Sequence, residues 1–420
     1  IQHRGQESCG MAISNGEEIN YYKDMGLVGD VFTTKKLERL QGNMGIAHVR
    51  YSTAGGSNFA NCQPLVGSVR KRRIALAHNG NLVNAQTLKD MLEEDGYMFT
   101  SNTDTEVILY ILARYYKGNI VESLKLTMDY IKGAYSLVIM SDDELIGVRD
   151  PFGFRPLILG KKDDQYILAS ENCAIDILGG EVIRDVEPGE IVVIKDGELK
   201  SYNFSKNYKP MKKSCIFEHI YFARNDATID DVNAYEFRVK SGEILAQNDE
   251  INADMVVPVP DSGWPGAIGY SNASNIQVAE ALVKNRYVGR TFIKPTQEER
   301  ELGVKIKLNP LSRMIKDKSI VLVDDSIVRG TTSRLLVKSL REAGAKEIHL
   351  RITSPPVKYS CYYGIDTPNR SKLIASNMSV EEMREFIGCD SLKFLDIEGM
   401  LDAVEEPFNF CKAWDRKSVV

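Results

Sequence analysis

The sequence predicts a chain of two halves, an α+β half followed by an α/β half. In the first half, short apolar runs such as "RRIALAHNGNLVN" and "GAYSLVIM" alternate with Gly, Asn, Asp and Ser, which predicts antiparallel strands. Between these runs, "DTEVILYILARYYKG" carries apolar residues at helical spacing. In the second half, "DMVVPVPDSG" and "KSIVLVDDSIVRG" read as apolar strands that end in polar loops before helices, which is typical of a parallel sheet. The pattern changes near residues 205–215, so we predict domains at residues 1–210 and 211–420.

Composition and charge exclude several classes of protein. Hydrophobic residues make up 43% of the chain and charged residues 26%, the ordinary balance of a globular protein. The net charge of −5 lacks the basic excess that nucleic-acid binding needs. The chain has no run of 18 apolar residues and no secretion signal near Ile1, so we predict a cytoplasmic protein that contacts neither nucleic acid nor membrane.

The cysteines predict buried thiols and no disulfide framework. Their number is odd and they are widely scattered in a chain with no sign of export. Free cysteine commonly packs as a small hydrophobic residue. The seven positions are Cys9, Cys62, Cys173, Cys215, Cys361, Cys389 and Cys411.

The segment "IVLVDDSIVRGTTSRLLVKSL", Ile320 to Leu340, carries the strongest chemical signal. Apolar β-formers precede Asp324 and Asp325, which predicts that both acids lie at the carboxyl end of a strand, where open α/β sheets bind ligands. A helix is predicted to begin near Thr331, and its free N–H groups suit a phosphate. In isolation, an Asp-Asp pair before a turn is equally typical of a simple helix cap. No Gly-Lys-Ser/Thr follows a spaced glycine, so this is not the P-loop of nucleotide hydrolases.

The string "VLVDDSIVRGTTS" resembles the signature of the type I phosphoribosyltransferases. The resemblance implies that Asp324 and Asp325 hold the ribose hydroxyls of phosphoribosyl pyrophosphate, and that Mg²⁺ binds beside them and Ser262. It gives the 5′-phosphate to the loop of Val328, Arg329, Gly330, Thr331, Thr332 and Ser333. The stretch "VVPVPDSGWPGAIGY" resembles the family's pyrophosphate loop, with Asp261, Ser262 and Gly263 facing the leaving group.

Residues 284–309, "KNRYVGRTFIKPTQEERELGVKIKLN", resemble the flexible loop of the same family, which closes over the substrate and excludes water. Taken alone, a stretch this rich in Lys and Arg is typical of a solvated surface loop.

The motifs of the first half are weak one by one. "AHNGNL" alone is typical of a turn, and "SNTDTEV" of a helix N-terminus capped by Thr103 or Asp104. Their order is more specific, because "QHRGQES", "HVRYSTAG", "AHNGNLVN", "SNTDTE", "GAYSLV", "RDPFGFRPL" and "ASE" resemble the N-terminal-nucleophile (Ntn) glutamine amidotransferases. The resemblance implies a four-layer αββα sandwich, incomplete here because its first strand is expected to be missing, in which Arg50 pairs with the glutamine α-carboxylate and Asp104 with its α-amino group. Asn79 and Gly80 form the oxyanion hole on this interpretation.

Together the two resemblances imply a pentosyltransferase that moves glutamine-derived ammonia onto phosphoribosyl pyrophosphate. The products are 5-phosphoribosylamine, glutamate and pyrophosphate, in the first step of purine synthesis. The resemblance also implies a homotetramer inhibited by purine nucleotides.

Two other classes stay open. One is a regulator that binds phosphoribosyl pyrophosphate without catalysis, although the acidic charge and the lack of an added DNA-binding segment count against it. The other is a synthase that shares only the glutaminase half, such as the glucosamine phosphate or asparagine enzymes. The string "VLVDDSIVRGTTS" argues against that class, which needs no phosphoribosyl site.

The two ends of the sequence differ from the resembled families. The amidotransferases begin with a nucleophilic cysteine whose α-amino group is the general base, and a segment of that kind does not precede "QHRGQES" here. We therefore expect a truncated sequence that supports only ammonia-dependent synthesis, with Cys9 a buried thiol. Some members carry a [4Fe-4S] cluster on four cysteines. Cys215, Cys361 and Cys411 match three ligand positions and Trp414 occupies the fourth, so the resemblance implies a cluster that lacks one ligand.

Overall fold

The computed structural model describes residues 1–51, 56–70, 72–204, 209–247, 249–285, 308–365, 367 and 369–413. Within these ranges, none of the helices combines the length and apolar character needed to cross a membrane. All seven cysteines are free thiols, and five of them are buried, as predicted.

The first half is built on three antiparallel sheets. The six-stranded sheet has the order β12-β11-β7-β6-β5-β4, and its neighbours have the orders β2-β1-β3 and β10-β8-β9. The strands are β1 (Ser8–Ser14), β2 (Ile19–Met25), β3 (Met44–Arg50), β4 (Leu65–Val69), β5 (Arg72–Leu82), β6 (Gly133–Ser141), β7 (Glu144–Arg149), β8 (Ile158–Lys162), β9 (Gln165–Ala169), β10 (Glu181–Asp185), β11 (Glu190–Lys195) and β12 (Glu198–Asn203). The helices are α1 (Val28–Val31), α2 (Thr34–Leu37), α3 (Ala85–Glu94), α4 (Asp104–Tyr115), α5 (Ile120–Tyr130) and α6 (Cys173–Ile177).

Alternating side chains of β5 explain the layered packing of this half. Ile74 and Leu76 face a core shared with α3, α4 and α5. Ala75 and Ala77 point to the opposite face and pack against Ile46 and other apolar residues of the β2-β1-β3 sheet. The short helix α1 contacts β1, and the short helix α6 contacts β8, β9 and β10. Helices therefore also lie on the second layer of strands, which these two smaller sheets form. This is the αββα arrangement that the resemblance implies.

The second half contains a parallel sheet of order β16-β19-β20-β21. Its strands and those around it are β13 (Ser214–Cys215), β14 (Thr228–Ile229), β15 (Val232–Asn233), β16 (Met255–Pro258), β17 (Leu282–Lys284), β18 (Leu308–Pro310), β19 (Ser319–Asp324), β20 (Glu347–Ile352), β21 (Ser391–Phe394) and β22 (Phe410–Cys411). The helices are α7 (Ala234–Gln247), α8 (Gly263–Ser274), α9 (Ser312–Ile315), α10 (Thr331–Glu342), α11 (Ile374–Asn377), α12 (Val380–Ile387) and α13 (Ile397–Leu401). A π-helical turn covers Glu218–Phe222.

Strand β19 is buried on both faces, which explains its uninterrupted apolar run. Ile320 and Leu322 belong to the core that includes residues of α10 and α12. Val321 and Val323 belong to the core on the other face, with residues of α7 and α8. The run ends at Asp324, where the strand leaves the core. The predicted antiparallel and parallel halves are therefore confirmed.

The two halves meet through backbone and charged contacts. The 152–154 segment after β7 accepts two backbone bonds from the second half, Lys213 N to Phe152 O at 2.7 Å and Cys215 N to Phe154 O at 3.1 Å. Arg4, near the first residue, donates to Glu218 of the π-helical turn at 2.9 Å. The predicted boundary at residue 210 falls between β12 and β13, and the exact division stays a prediction.

Candidate functional site

Asp324 and Asp325 lie at the carboxyl edge of the parallel sheet, as the sequence predicts. Asp324 is the last residue of β19, which runs between β16 and β20. Asp325 is only 6% exposed, and its Oδ1 accepts a 2.6 Å hydrogen bond from Ser326 Oγ. The Ser262 side chain also hydrogen bonds to the Asp325 carboxyl group. The carboxyl groups of Asp324 and Asp325 and the hydroxyls of Ser262 and Ser326 therefore lie close together at the edge of the sheet.

The acid pair is costly to ionise without a cation. Burial and the neighbouring Asp325 carboxylate raise the pKa of Asp324 well above its usual value. Burial also raises the pKa of Asp325, although hydrogen bonds from Ser262 and Ser326 and the charge of Arg238 oppose the rise. Such a pair is stabilised when a cation or a hydrogen-bond donor binds it.

The loop after the acid pair leads directly into a helix N-terminus. Gly330 has φ +72° and is the N-cap of α10, which begins at Thr331 as predicted. A side chain at residue 330 would come within 2.6 Å of Ile374 Cδ1, so the turn requires glycine on two counts. The backbone N–H groups of the first turn have no carbonyl partner within the helix, and they face outward where an anion can bind.

The turn between β16 and α8 packs against the end of β19. Val259 N donates to Val323 O at 2.8 Å, and a methyl group at Gly263 would lie 2.5 Å from that same carbonyl oxygen. Glycine at residue 263 thus allows the two strand ends to approach closely. Asp261, on the exposed side of the turn, forms an ion pair with Lys284.

The predicted closing loop, residues 284–309, is described only at its two ends. Leu282–Lys284 pairs with Leu308–Pro310 as an antiparallel ribbon, with Lys284 opposite Leu308. Residues 286–307 lie outside the described residues, so the loop's closure stays a prediction.

In the first half, Asn79 and Gly80 lie within a strand, and the interpretation of "AHNGNL" as a turn is wrong. Both residues belong to β5, where Asn79 is opposite Ser136 and Gly80 opposite Tyr135 of β6. Gly80 has φ +152°, and a side chain there would come within 1.9 Å of Ala134 O. Glycine is therefore required at residue 80 because the backbones of two strands approach closely there. The Asn-Gly pattern is also typical of a tight turn, so the pattern alone does not distinguish the two cases.

Arg50 and Asp104 lie near this dipeptide. Arg50 is the last residue of β3, and His48 of that strand contacts His78 O at 3.1 Å. Asp104 is the first residue of α4, with Thr103 as the N-cap, and its Oδ2 accepts from Leu82 N at 2.9 Å.

The Asp104 carboxylate stays ionised although it is buried. Burial by itself raises its pKa, but the neighbouring His78, 3.5 Å away, and hydrogen bonds from Leu82 and Thr103 outweigh burial and lower it. Asp104 and Arg50 also interact electrostatically. One cation and one anion thus lie close enough to interact, and the anion accepts a hydrogen bond from β5, the strand that carries Asn79 and Gly80.

Sequence reasoning assigned no role to the charged residues between the two halves. The motifs "QHRGQES" and "ASE" meet here, because Arg4 donates to Glu171 Oε1 at 2.6 Å. Arg4 also reaches Glu218 of the second half, and Glu218 accepts from Arg155 of "RDPFGFRPL" at 2.8 Å. Residues this far apart in sequence leave no local pattern that would reveal their pairing. The only signal in the sequence is that Arg4, Arg155 and Glu171 belong to motifs of the resembled family.

The three predicted cluster cysteines come together. Cys215 and Cys411 lie opposite each other on the parallel strands β13 and β22. Cys361 is close enough to interact electrostatically with both thiols. Burial raises the pKa of Cys215, and it raises that of Cys411 to about 11. Within the described ranges, no three or more His, Cys, Asp or Glu side chains are arranged as a metal site, and Trp414 lies outside those ranges.

The fold and these sites define a glutamine amidotransferase joined to a phosphoribosyltransferase. The family model described as "Glutamine amidotransferase domain" matches residues 48–176, and the one described as "Phosphoribosyl transferase domain" matches residues 234–354. Relatives that resemble the whole chain are named amidophosphoribosyltransferase, and this chain belongs to that family.

The similarity extends over nearly the full chain. The amidophosphoribosyltransferase of Methanothermobacter thermautotrophicus is 50% identical, over 96% of this chain and 85% of that protein. The Bacillus subtilis enzyme is 46% identical, over 97% of this chain and 86% of its own. A solved structure of the B. subtilis glutamine phosphoribosylpyrophosphate amidotransferase, complexed with ADP and GMP, superimposes with a TM-score of 0.92 at 45% identity, covering 98% of this chain and 91% of that one.

Proposed function

We propose that this enzyme joins ammonia to phosphoribosyl pyrophosphate at the Asp324–Asp325 edge and draws the ammonia from glutamine at the Asn79–Gly80 strand. The products are 5-phosphoribosylamine, glutamate and pyrophosphate, the first step of purine biosynthesis. The observation that carries the proposal is the acid pair at the end of β19, directly before the N-terminus of α10 and beside the Ser262 turn. A regulator without catalysis has no need of the glutaminase fold that the same chain carries.

Mg²⁺ fits the acid pair chemically. Its preferred ligands are carboxylate and other oxygen atoms, and it keeps several water molecules and substrate oxygens in its shell. Asp324, Asp325 and Ser262 offer such oxygens, and because burial raises the pKa values of the two acids, a bound cation would favour their ionised forms. The chemistry that Mg²⁺ supplies when bound is neutralisation of the charge on the pyrophosphate.

The residues of the second half divide the substrate between them. Asp324 and Asp325 accept hydrogen bonds from the ribose hydroxyls, and the N–H groups of residues 331–333 bind the 5′-phosphate. The turn of Asp261, Ser262 and Gly263 faces the departing pyrophosphate. The bond from the anomeric carbon to pyrophosphate breaks as the bond to ammonia forms, so the chain needs to position and stabilise the reactants and needs no covalent intermediate.

The first half binds the charged α-carboxylate and α-amino groups of glutamine. Arg50 pairs with the α-carboxylate and Asp104 with the α-amino group, which suits the opposite charges of these two interacting residues. The Asn79 side chain and the Gly80 N–H donate to the oxygen that becomes negative when the family's N-terminal cysteine adds to the amide carbon, before the C–N bond breaks and ammonia leaves. The absence of a Gly80 side chain, forced by Ala134 O, leaves that space to the substrate.

The three thiols of Cys215, Cys361 and Cys411 are the iron–sulfur ligands on this proposal. The pairing of Cys215 with Cys411 and the electrostatic contact with Cys361 support it, although the three thiols are not already arranged as a metal site, and the indole of Trp414 adds no ligand. Anaerobically reconstituted protein should retain iron and absorb in the visible range. Cys215→Ser should lose both signals, whereas Cys389→Ser, at a buried thiol elsewhere in the second half, should keep them. Wild-type protein without bound iron would contradict the assignment.

The structure of the B. subtilis relative with ADP and GMP supports purine nucleotides as ligands of this enzyme, and their action as inhibitors stays a prediction. The homotetramer and the cytoplasmic location stay predictions.

The proposed reaction is tested by pyrophosphate release from phosphoribosyl pyrophosphate and Mg²⁺, with ammonium or glutamine as the nitrogen donor. We expect release with ammonium, and a loss of at least about 10²-fold in kcat/KM for Asp324→Asn and Asp325→Asn, because each removes a charge at the site. Asp402→Asn, at an exposed position of the second half, is the matched control. Binding of phosphoribosyl pyrophosphate without release of pyrophosphate would favour the non-catalytic regulator.

A further inference from the structure

A loop of the second half packs directly on the proposed oxyanion strand of the first half. Tyr362 O accepts a 2.9 Å hydrogen bond from Asn81 Nδ2, the residue after Gly80 in β5. Gly364 is buried and has φ +104°. A methyl group at residue 364 would lie 3.3 Å from the carbonyl carbon of Gly80. Residues 362–364, here called the covering loop, therefore touch the peptide next to the two proposed oxyanion donors.

Arg155 fixes the covering loop to both halves. Its Nη2 donates to Gly364 O, and its Nη1 donates to Glu218 Oε1 at 2.8 Å. Its own carbonyl oxygen accepts from Ser136 Oγ at 3.0 Å. Ser136 lies opposite Asn79 in the β5–β6 register, so Arg155 is linked to the oxyanion strand through its backbone and to the covering loop through its guanidinium.

An aromatic stack holds the same loop from the neighbouring position. The rings of Phe154 and Tyr363 have centroids 4.8 Å apart and planes inclined by 23°. Arg155 is 5% exposed and Gly364 is buried, so water does not compete for the Arg155 hydrogen bonds. Two consecutive residues of "RDPFGFRPL", Phe154 and Arg155, thus hold the covering loop in place. No residue of this motif has a proposed contact with glutamine.

We infer that Arg155 is a positioning residue for glutamine hydrolysis, which acts by holding the covering loop against the peptide that follows Gly80. An oxyanion hole works only when its donors already point at the developing charge. Gly80 has no side chain of its own, and the side-chain amide of its neighbour Asn81 donates a hydrogen bond to the covering loop. The backbone on the carboxyl side of Gly80 is therefore held by β6 on one side and contacted by the second half on the other. The inference rests on the proposed role of Asn79 and Gly80.

The test compares two nitrogen donors in a form of the enzyme that carries the family's nucleophilic cysteine segment ahead of "QHRGQES", because glutamine hydrolysis needs that cysteine. In Arg155→Met, we expect kcat with glutamine to fall by about 10²-fold, the order of loss for one displaced oxyanion donor, while KM for glutamine changes less than about threefold. The rate with ammonium should stay within about twofold of wild type. Arg155→Lys should recover part of the loss, because an ammonium group reaches one of the two acceptors and lacks the planar fork. Glu218 keeps its Arg4 partner in both variants, which limits damage to the fold.

Two further variants make the result decisive. Gly364→Ala enlarges the covering loop toward Arg155 and Gly80 and should reproduce the selective loss of kcat with glutamine. Arg184→Met breaks the Glu190 ion pair elsewhere in the first half and should leave both rates unchanged. Equal losses with both donors, or a kcat with glutamine unchanged in Arg155→Met, would overturn the inference. Failure of the wild-type enzyme to bind glutamine would instead overturn the proposed glutamine site, and the inference with it.

Discussion

Arg149 and Asp230 form a two-pronged ion pair across the junction of the halves, with Nη1 3.0 Å from Oδ1 and Nη2 2.7 Å from Oδ2. Both side chains are almost fully buried, at 1% and 2% exposure. The Arg149 guanidinium also donates to the carbonyl oxygens of Arg155, Gly153 and Val186. The pair thus secures the turn after β14 of the second half to the segment that carries Arg155.

Replacement of Asp230 should weaken the whole junction. Asp230→Ala leaves the Arg149 charge buried without its carboxylate, and breaking a buried pair in this way costs about 3–5 kcal/mol. We expect a loss of this order in the free energy of unfolding, measured by urea denaturation. Asp226→Ala removes the exposed partner of Arg224 and should cost less than about 1 kcal/mol. Similar losses in the two variants would contradict a special role for the junction pair.

Asp185 gives the junction a predictable pH dependence. Burial, reinforced by the Asp230 charge, raises the pKa of Asp185 to about 6, and Arg149 and Lys212 oppose the rise. A carboxyl group whose pKa is higher in the folded state binds its proton more tightly there. It therefore destabilises the fold progressively as the pH rises from about 4 to about 6, and fully above that range.

Asp185→Asn should remove this destabilisation. We expect the variant to be more stable than wild type by about 3 kcal/mol at pH 7.5 and equal to it near pH 4, since the pKa is raised from 3.8 to about 6 and one pKa unit corresponds to about 1.4 kcal/mol. Urea denaturation across this pH range measures the difference. Asp196→Asn, at an exposed turn of the same half, should show no such pH dependence. A constant difference at all pH values would indicate an effect other than the titration of Asp185.

The sequence predicted the second half better than the first, and the reason is local. In β19 the apolar run, the two acids, the glycine turn and the helix start lie within about twenty consecutive residues, so one pattern contains the site. The glutamine site instead collects Arg50, Asn79 and Asp104 from three separate elements. Their proximity depends on how the two sheets stack, which no short window records.

The Asn-Gly pair and the junction charges show what local patterns omit. Asn79-Gly80 satisfies the composition of a tight turn, yet tertiary crowding by Ala134 O explains the glycine within a strand. Arg155 and Glu218 are 63 residues apart and Arg4 and Glu218 are 214 apart, so neither partnership leaves a periodic signal. The family resemblance located the substrates but assigned no role to these contacts.

Gly263 should be essential to the pyrophosphate turn for steric reasons. In Gly263→Ala the new methyl group would lie 2.5 Å from Val323 O, so either β19 or the turn must shift. We expect kcat/KM for phosphoribosyl pyrophosphate with ammonium to fall at least about tenfold, because sub-ångström displacement of binding groups weakens transition-state contacts. Gly29→Ala, where a methyl group meets no atom within 4 Å, should leave the rate unchanged. Full activity in Gly263→Ala would show that the turn does not contact the leaving group.

Asp104 should dominate the affinity for glutamine, and binding can be measured apart from hydrolysis. Its carboxylate has a lowered pKa despite burial, so it is ionised at neutral pH and presents a fixed negative charge to the glutamine α-amino group. Asp104→Asn retains the shape but loses this charge, and a charge-assisted hydrogen bond is worth about 1.5–3 kcal/mol. We therefore expect the dissociation constant for glutamine, from calorimetric titration, to rise about 10- to 100-fold. Asp95→Asn, at the exposed Arg114 pair of the same half, is the control and should bind glutamine like wild type. If Asp104→Asn bound glutamine as tightly as wild type, the carboxylate of Asp104, at the start of α4, would have only a structural role, which is to accept the hydrogen bond from Leu82 N.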